Sequence, residues 1–246
     1  MSAAAPVVAQ ARLLSARYRA VMIGDWPTLL LLLGQAPLIG WLCAVVWASV
    51  ERDTPSLWFV LCLSAIWFGC INACREIVKE RAILERERFF GLSLPAYVAS
   101  KLSVLSVLGL AQVVLLLGAV EWQLALRGNL ALQLLALWGA SLCGTALGLA
   151  VSALSRHQER AVGAVPLLLL PQILFSEVAI PRDRFGPAVD AGEEIMPAKW
   201  AFQIFKELAA LEPDWVQVAV AFGVQGLMTA GLAALTVALL VRRQEV

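Results

Sequence analysis

The chain has 246 residues, of which 61% are hydrophobic and only 15% charged, and its formal net charge is +1. A soluble domain of this length carries more polar surface, so the composition excludes an ordinary globular fold and favours an integral membrane protein. The net charge gives no sign of a basic surface for nucleic acid. We therefore expect membrane lipid, and no nucleic acid, among the partners.

Residues 1–25 precede the first long apolar run and mix Arg12, Arg17 and Arg19 with apolar side chains. A signal peptide would place its charges before the apolar run and offer a cleavage site of small residues. The mixed pattern instead predicts an amphipathic helix that lies on the membrane surface.

Six apolar runs follow, each long enough to cross a bilayer, which requires about 20 helical residues. The predicted spans are 26–50, 54–74, 102–120, 128–155, 161–181 and 215–241. Only the fifth contains a charged residue, Glu177. The fourth contains a GxxxG pattern at Gly144 and Gly148, which predicts close helix packing within one chain or between two. The sequence therefore predicts an all-α membrane protein with six transmembrane helices.

The basic residues predict the orientation of these spans. Most of the 19 lysines and arginines fall in short loops on the same side as the N-terminus. Because basic loops stay in the cytoplasm, we expect both termini and the charged segment 75–95 there, in a multi-pass inner-membrane protein.

The charged segment 75–95 separates the second and third spans, and it is too charged to be embedded in lipid. On a helical wheel its residues form separate stripes: Glu76, Glu80 and Glu87 are acidic, Arg75, Lys79 and Arg86 are basic, and Val78, Ala82 and Phe89 are apolar. Such stripes fit a helix wedged between protein surfaces. They fit equally well a solvated loop helix with internal pairs such as Arg81–Glu85.

Several stretches resemble one family. SAIWFGCINACREIVKERAILERERFFGLSLPAYVASKL (64–102) resembles the second span, coupling helix and third-span start of the membrane domain of type-2, G-subfamily-like ABC exporters of the bacterial kind. RYRAVMIGDWPTLLLLLGQAP (17–37) is similar to the connecting helix and first span. AVPLLLLPQILFSEVAIP (164–181) and MPAKWAFQIF (196–205) are similar to the fifth span and the external segment before the sixth. The resemblance implies that 1–25 is a connecting helix, that 26–246 is the membrane domain, and that 182–214 forms short outer helices.

The resemblance also implies a partner. In that family the coupling helix docks against an ATPase domain, and here it assigns this contact to Glu80, Arg81, Glu85, Arg86, Glu87 and Arg88. ATP and Mg²⁺ would bind to the partner ATPase, and we expect no cofactor in this chain. The chain has no GxxxxGK[ST] loop, and the residues before the first span are too few for a domain. We expect the ATPase to be a separate polypeptide, or to have been removed from this sequence, so that the chain is no enzyme by itself.

The family's exporters move their substrates through a cavity between two membrane domains, lined by the second and fifth spans. Mapped onto this sequence, the resemblance assigns the pathway to Phe68, Asn72, Gln172, Phe175 and Glu177. A second copy, or a similar membrane subunit, would complete the cavity. An apolar wall with few polar groups fits an amphipathic or lipid-like substrate.

Two alternative functions remain open. Glu177, an acid near the outer end of a span, is the one feature that favours an ion-coupled carrier or a channel not driven by ATP. It is also compatible with a carboxylate that stays hydrated at the outer interface. An intramembrane enzyme is less well supported, because the only histidine, His157, lies in a short loop without catalytic or metal-binding partners.

Overall fold

The computed structural model describes residues 7–49, 54–179 and 186–242. Throughout these ranges the regular elements are helices, and no strand occurs. The α-helices are α1 Val7–Gly24, α2 Trp26–Ala48, α3 Pro55–Ala73, α4 Arg81–Phe89, α5 Leu94–Glu121, α6 Leu130–Leu154, α7 Gln158–Leu174, α8 Pro187–Glu194, α9 Pro197–Ala209 and α10 Trp215–Arg242. A single 3-10 turn, Val78–Glu80, leads into α4.

Five segments are long and apolar enough to cross a membrane: α2, the segment Pro55–Phe89 that begins with α3, and α5, α6 and α10. The all-α membrane fold predicted from the sequence is therefore confirmed, but the detail of six full spans is not. The predicted fifth span, 161–181, is represented by α7, which has only 17 residues and ends at Leu174. At 1.5 Å per residue it extends about 26 Å, less than the ~30 Å hydrocarbon core.

Prolines and glycines set many of the helix boundaries. Helices α2, α3, α5, α8 and α9 each have a proline in the first turn, where no intrahelical partner for its missing N–H is needed. Helix α6 begins at a capping residue, Asn129, whose side chain accepts hydrogen bonds from Ala131 N and Leu132 N at 2.9 and 3.2 Å. Gly91, with φ of +88°, turns the chain between α4 and α5.

The centre of the fold is the contact between α3 and α6, which small residues make unusually close. A Cβ on Gly69 of α3 would lie 2.1 Å from Ser141 O, and one on Gly144 of α6 would lie 2.3 Å from Ile66 O. Gly144 and Gly148 thus bring two helices of the same chain together, one of the alternatives that the GxxxG pattern left open. Helices α2 and α10 lie outside this centre and are mostly exposed.

The two ends of the bundle differ in chemistry. On one side the charged segment, α1 and the last turn of α10 lie together, since Arg17 pairs with Glu87 and Arg88 Nη1 donates to Leu240 O at 3.2 Å. On the other side α9 packs across the ends of α3 and α6. Phe202 of α9 meets Phe59 of α3 edge-on, with ring centroids 5.9 Å apart. Short helices therefore precede the last span, as the sequence predicted.

Candidate functional site

A buried ion cluster lies where the charged segment meets α5. The ammonium of Lys101 is only 2% exposed, and its Nζ lies 3.3 Å from Glu76 Oε2 and 2.7 Å from Glu80 Oε2. Lys79 also donates to Glu76. Two carboxylates and two ammonium groups therefore balance, as groups withdrawn from water must.

Two tyrosines complete this cluster and join it to α1. The Tyr18 ring lies under Lys101, with Nζ 3.7 Å from its centroid, a cation–π contact. Tyr97 Oη donates to Glu80 Oε2 at 3.1 Å. Burial, and then the neighbouring carboxylates of Glu76 and Glu80, raise the pKa of the Tyr18 phenol. Tyr18 therefore stays neutral, and α1 is held to the charged segment.

The charged segment is also anchored to the end of α6. Ser152 Oγ accepts hydrogen bonds from Ile77 N and Val78 N at 2.9 and 3.0 Å. Arg81 Nη2 donates to Ala153 O and Ser155 O at 3.2 and 2.7 Å. Ala153 lies in the last turn of α6 and Ser155 just beyond it, where the carbonyls have no further helical donors. Arg81 therefore caps α6 and fixes the start of α4.

Helix α4 is tied to α1 and to α10 along its inward side. Arg17 pairs with both carboxylate oxygens of Glu87, with Nη2 3.2 Å from Oε2, and this hydrogen bond raises the pKa of Arg17. Arg88 reaches the last turn of α10. In the turn after α4, Ser93 N donates to Gln10 Oε1 at 2.9 Å. The segment is thus held by contacts with α1 and α10.

These contacts divide the six residues assigned to ATPase docking. Four of them have partners within the chain: Glu80, Arg81, Glu87 and Arg88. Glu85 and Arg86 are exposed, and neither makes an ion pair in the described part of the chain. The docking role itself stays a prediction.

The outward face of α4 carries further residues that the assignment did not include. Phe89 and Phe90 are 92% and 87% exposed, and Ile83 is also exposed. Together with Glu85 and Arg86 they form one continuous side of the helix, which we call the outward face. The sequence contained one sign of this face, the adjacent pair Phe89 and Phe90. Two such side chains are normally buried when they face the interior of a protein.

The residues assigned to the substrate pathway on α3 point into the protein. Phe68 is completely buried between helices. Asn72 is 6% exposed and donates from Nδ2 to Gln112 Oε1 of α5 at 2.6 Å. The side of α3 that stays partly open carries instead Ser64 and Trp67.

Three assigned residues remain, Gln172 near the end of α7 and Phe175 and Glu177 beyond it, and all of them contact α8 or α9. Gln172 Oε1 accepts from Ala198 N of α9 at 3.0 Å, and the Phe175 ring lies against Gly192 of α8. Glu177, just beyond the end of α7, pairs with Lys206 of α9, with Oε1 2.7 Å from Nζ. Their role in transport stays a prediction, but each of them connects the end of α7, or the residues just after it, to α8 or α9.

An open apolar groove of about 430 Å³ runs between α2, α3 and α7. It is lined by Ile39, Leu63, Ser64, Trp67, Pro166, Leu169, Leu170 and Ile173. The two helices that the resemblance assigned to the pathway therefore do share an open surface, although it uses other residues of α3 than Phe68 and Asn72.

Comparison with known proteins agrees with this arrangement. The family described as ABC-2 type transporter matches residues 9–208. The chain is 30% identical, over 151 residues, to an ABC transporter ATP-binding/permease protein of Mycobacterium tuberculosis. That similarity covers 58% of this chain and 17% of the relative's length. The chain belongs to the ABC-2 type transporter family, and it is a multi-pass transmembrane subunit of an ABC transporter.

Proposed function

We propose that this chain is the permease of an ATP-driven exporter, in which two membrane subunits work with two ATPase domains. The relative from Mycobacterium tuberculosis is named as both ATP-binding and permease protein, and the similar region covers only a small part of it. ATP and Mg²⁺ would bind to the ATPase, on another polypeptide or on another part of the same one. This chain would supply the path across the membrane.

The observation that carries the proposal is the outward face of α4. Every charged residue on the inward side of this helix has a partner, whereas Glu85, Arg86, Phe89 and Phe90 have none in the described ranges. Burying a phenylalanine side chain contributes about 1.5–3 kcal/mol. Two exposed phenylalanines beside one acidic and one basic side chain are typical of a surface that binds a second protein.

The anchoring of α4 gives this contact a mechanical consequence. A displacement of α4 by the ATPase would be passed to α6 through Arg81, to α10 through Arg88, and to α1 through Glu87. The buried ion cluster would carry it on to α5 through Lys101. Because these contacts connect the segment to four helices, the segment would move with the spans rather than bend away from them.

The groove between α2, α3 and α7 supports a path at the interface with a second membrane subunit. Trp67, Leu170 and Ile173 line it, and their apolar side chains fit an amphipathic or lipid-like substrate. A second copy, or a similar subunit, would close the open side of the groove. The prolines Pro166 and Pro171 weaken the hydrogen-bond ladder of α7, which lets this helix bend as the path opens.

The alternative of an ion-coupled carrier depended on Glu177. This carboxylate forms an ion pair with Lys206, so it is not an isolated acid in the membrane. No other observation favours that alternative. The orientation follows from the proposal, because an ATPase on α4 requires that α1, α4 and the end of α10 face the cytoplasm, at the inner membrane.

The test is ATP-driven transport by the chain together with its ATPase in proteoliposomes. Phe89→Ala combined with Phe90→Ala should weaken ATPase association at least tenfold, or uncouple hydrolysis from transport if the ATPase is part of the same polypeptide. Both side chains are exposed, so folding should not change. Leu211→Ala removes an exposed apolar side chain elsewhere and is the control. Transport without any ATPase, or unchanged coupling in the double variant, would contradict the proposal.

A further inference from the structure

A second cavity, separate from the apolar groove, lies where α1, α2, α3 and α5 meet beside the ion cluster. Its volume is about 220 Å³, room for roughly seven water molecules at about 30 Å³ each. A drug-sized molecule needs about 300–1,000 Å³, so the cavity is large enough only for a small group. None of the residues of the groove between α2, α3 and α7 lines it.

The cavity is amphipathic. Apolar side chains form much of its wall: Met22, Leu29, Leu32, Leu105 and Leu108. Polar and charged groups from the connections between helices also line it: Asp25, Arg75, Glu76, Lys79 and Gln158. An occupant must therefore present a charged end to one part of the cavity and apolar atoms to another.

Two opposite charges of this cavity form no ion pair within the described residues. Asp25 lies at the junction of α1 and α2, and Arg75 lies just beyond the end of α3. Both are exposed, and neither forms an ion pair with any residue that the structure describes. Glu76 and Lys79, in contrast, are already neutralised by the ion cluster. A ligand would thus find one cation and one anion that no described residue pairs, at the ends of different helices.

A buried polar atom of a lining residue is also without a partner. Asn72 lines the cavity, and its Nδ2 is used by Gln112, but its Oδ1 accepts no hydrogen bond in the described chain. An unmade hydrogen bond at a buried carbonyl oxygen is costly, so such atoms usually have a bound donor. The oxygen itself is buried, so it marks the polar wall of the cavity and not a contact that an occupant must make.

We propose that this cavity binds a small zwitterion that combines a phosphate with a primary amine. The phosphate pairs with Arg75, whose guanidinium matches two phosphate oxygens, and the ammonium donates to Asp25. The membrane source of this chemistry is a phospholipid with an aminoethyl phosphate headgroup. Its acyl chains would leave along the exposed leucines of α2, Leu30 and Leu31.

The experiment measures lipid binding to the purified full chain by native mass spectrometry during titration. The probes are short-chain phosphatidylethanolamine, phosphatidylcholine and phosphatidylglycerol, with soluble glycerophosphoethanolamine as a separate arm. The wild type should retain phosphatidylethanolamine most tightly. Arg75→Gln should weaken it about tenfold, and should weaken phosphatidylcholine as well, because the phosphate is common to both. Asp25→Asn should chiefly remove the preference for the primary amine.

The controls are Arg19→Gln and Glu212→Gln, which remove exposed charges that do not line the cavity. They should leave binding unchanged. Tighter binding of the lipid than of the soluble compound supports a membrane source, and equal binding supports a soluble one; both uphold the headgroup chemistry. Equal retention of phosphatidylethanolamine and phosphatidylglycerol, or no effect of both Arg75→Gln and Asp25→Asn, would overturn the proposal.

Discussion

Replacing Lys101 by methionine tests whether the buried ion cluster holds the charged segment to the spans. The variant keeps the volume of the side chain but removes its charge, and leaves Glu76 and Glu80 with only Lys79 to balance them. Breaking a buried ion pair by removing one partner costs about 3–5 kcal/mol. For a chain of this length, at about 2–4 °C per kcal/mol, the melting temperature should fall by about 6–20 °C.

The assay is thermal unfolding in detergent, followed by tryptophan fluorescence. The matched control is Lys79→Met, because the Lys79 side chain is 37% exposed, and exposed pairs contribute about 0–1 kcal/mol. Adding Glu80→Gln to Lys101→Met should recover part of the loss, since it removes the carboxylate 2.7 Å from the ammonium. A melting temperature of Lys101→Met within 2 °C of wild type (roughly 1 kcal/mol or less), or equal losses in the two lysine variants, would refute this reasoning.

Three further predictions concern other parts of the structure. Gly69→Ala should destabilise the fold by about 1–3 kcal/mol or more in thermal unfolding, because the added Cβ would meet a carbonyl oxygen of α6. Gly163→Ala is the control and should not destabilise the fold, because no atom lies within 4 Å of the added Cβ. Glu177→Gln and Lys206→Gln should alter substrate preference to the same degree in transport assays and cost less than about 1 kcal/mol of stability, since they share one partly exposed ion pair. An effect of the glutamate variant alone would mean that the carboxylate acts on the substrate itself. Trp67→Ala should change substrate-stimulated ATP hydrolysis with little loss of stability, because the side chain lines the open groove; unchanged stimulation would remove this residue from the path.

The membrane spans could be predicted because a helix that crosses lipid must be apolar over about 20 residues. The end of α7 could not be predicted in this way. The apolar run continues to Pro181, but the helix ends at Leu174 after two prolines, with Gln172 bonded to α9. Apolar composition does not reveal where a helix ends when the next helix supplies its hydrogen-bond partners. The predicted fifth span therefore extends beyond the end of α7.

The inward and outward sides of α4 could not be separated from the sequence either. The helical wheel gave the stripes, but the inward direction depends on partners far along the chain, such as Arg17 and the carbonyl oxygen of Leu240. The same holds for α3. Phe68 and Trp67 are adjacent aromatic residues, and only the packing of the other helices around α3 decides that the first is buried while the second lines the groove.

The most direct test of the account is crosslinking from the outward face of α4. The native cysteines are all buried, so a single cysteine at Phe89 carries a photoreactive maleimide selectively, and one at Leu211 serves as the control. After illumination, peptide mass spectrometry identifies what each position contacts. We expect crosslinks from position 89, and none from position 211, to peptides of an ATPase with a P-loop. No ATPase crosslink from position 89, or equal yields from both positions, would contradict it.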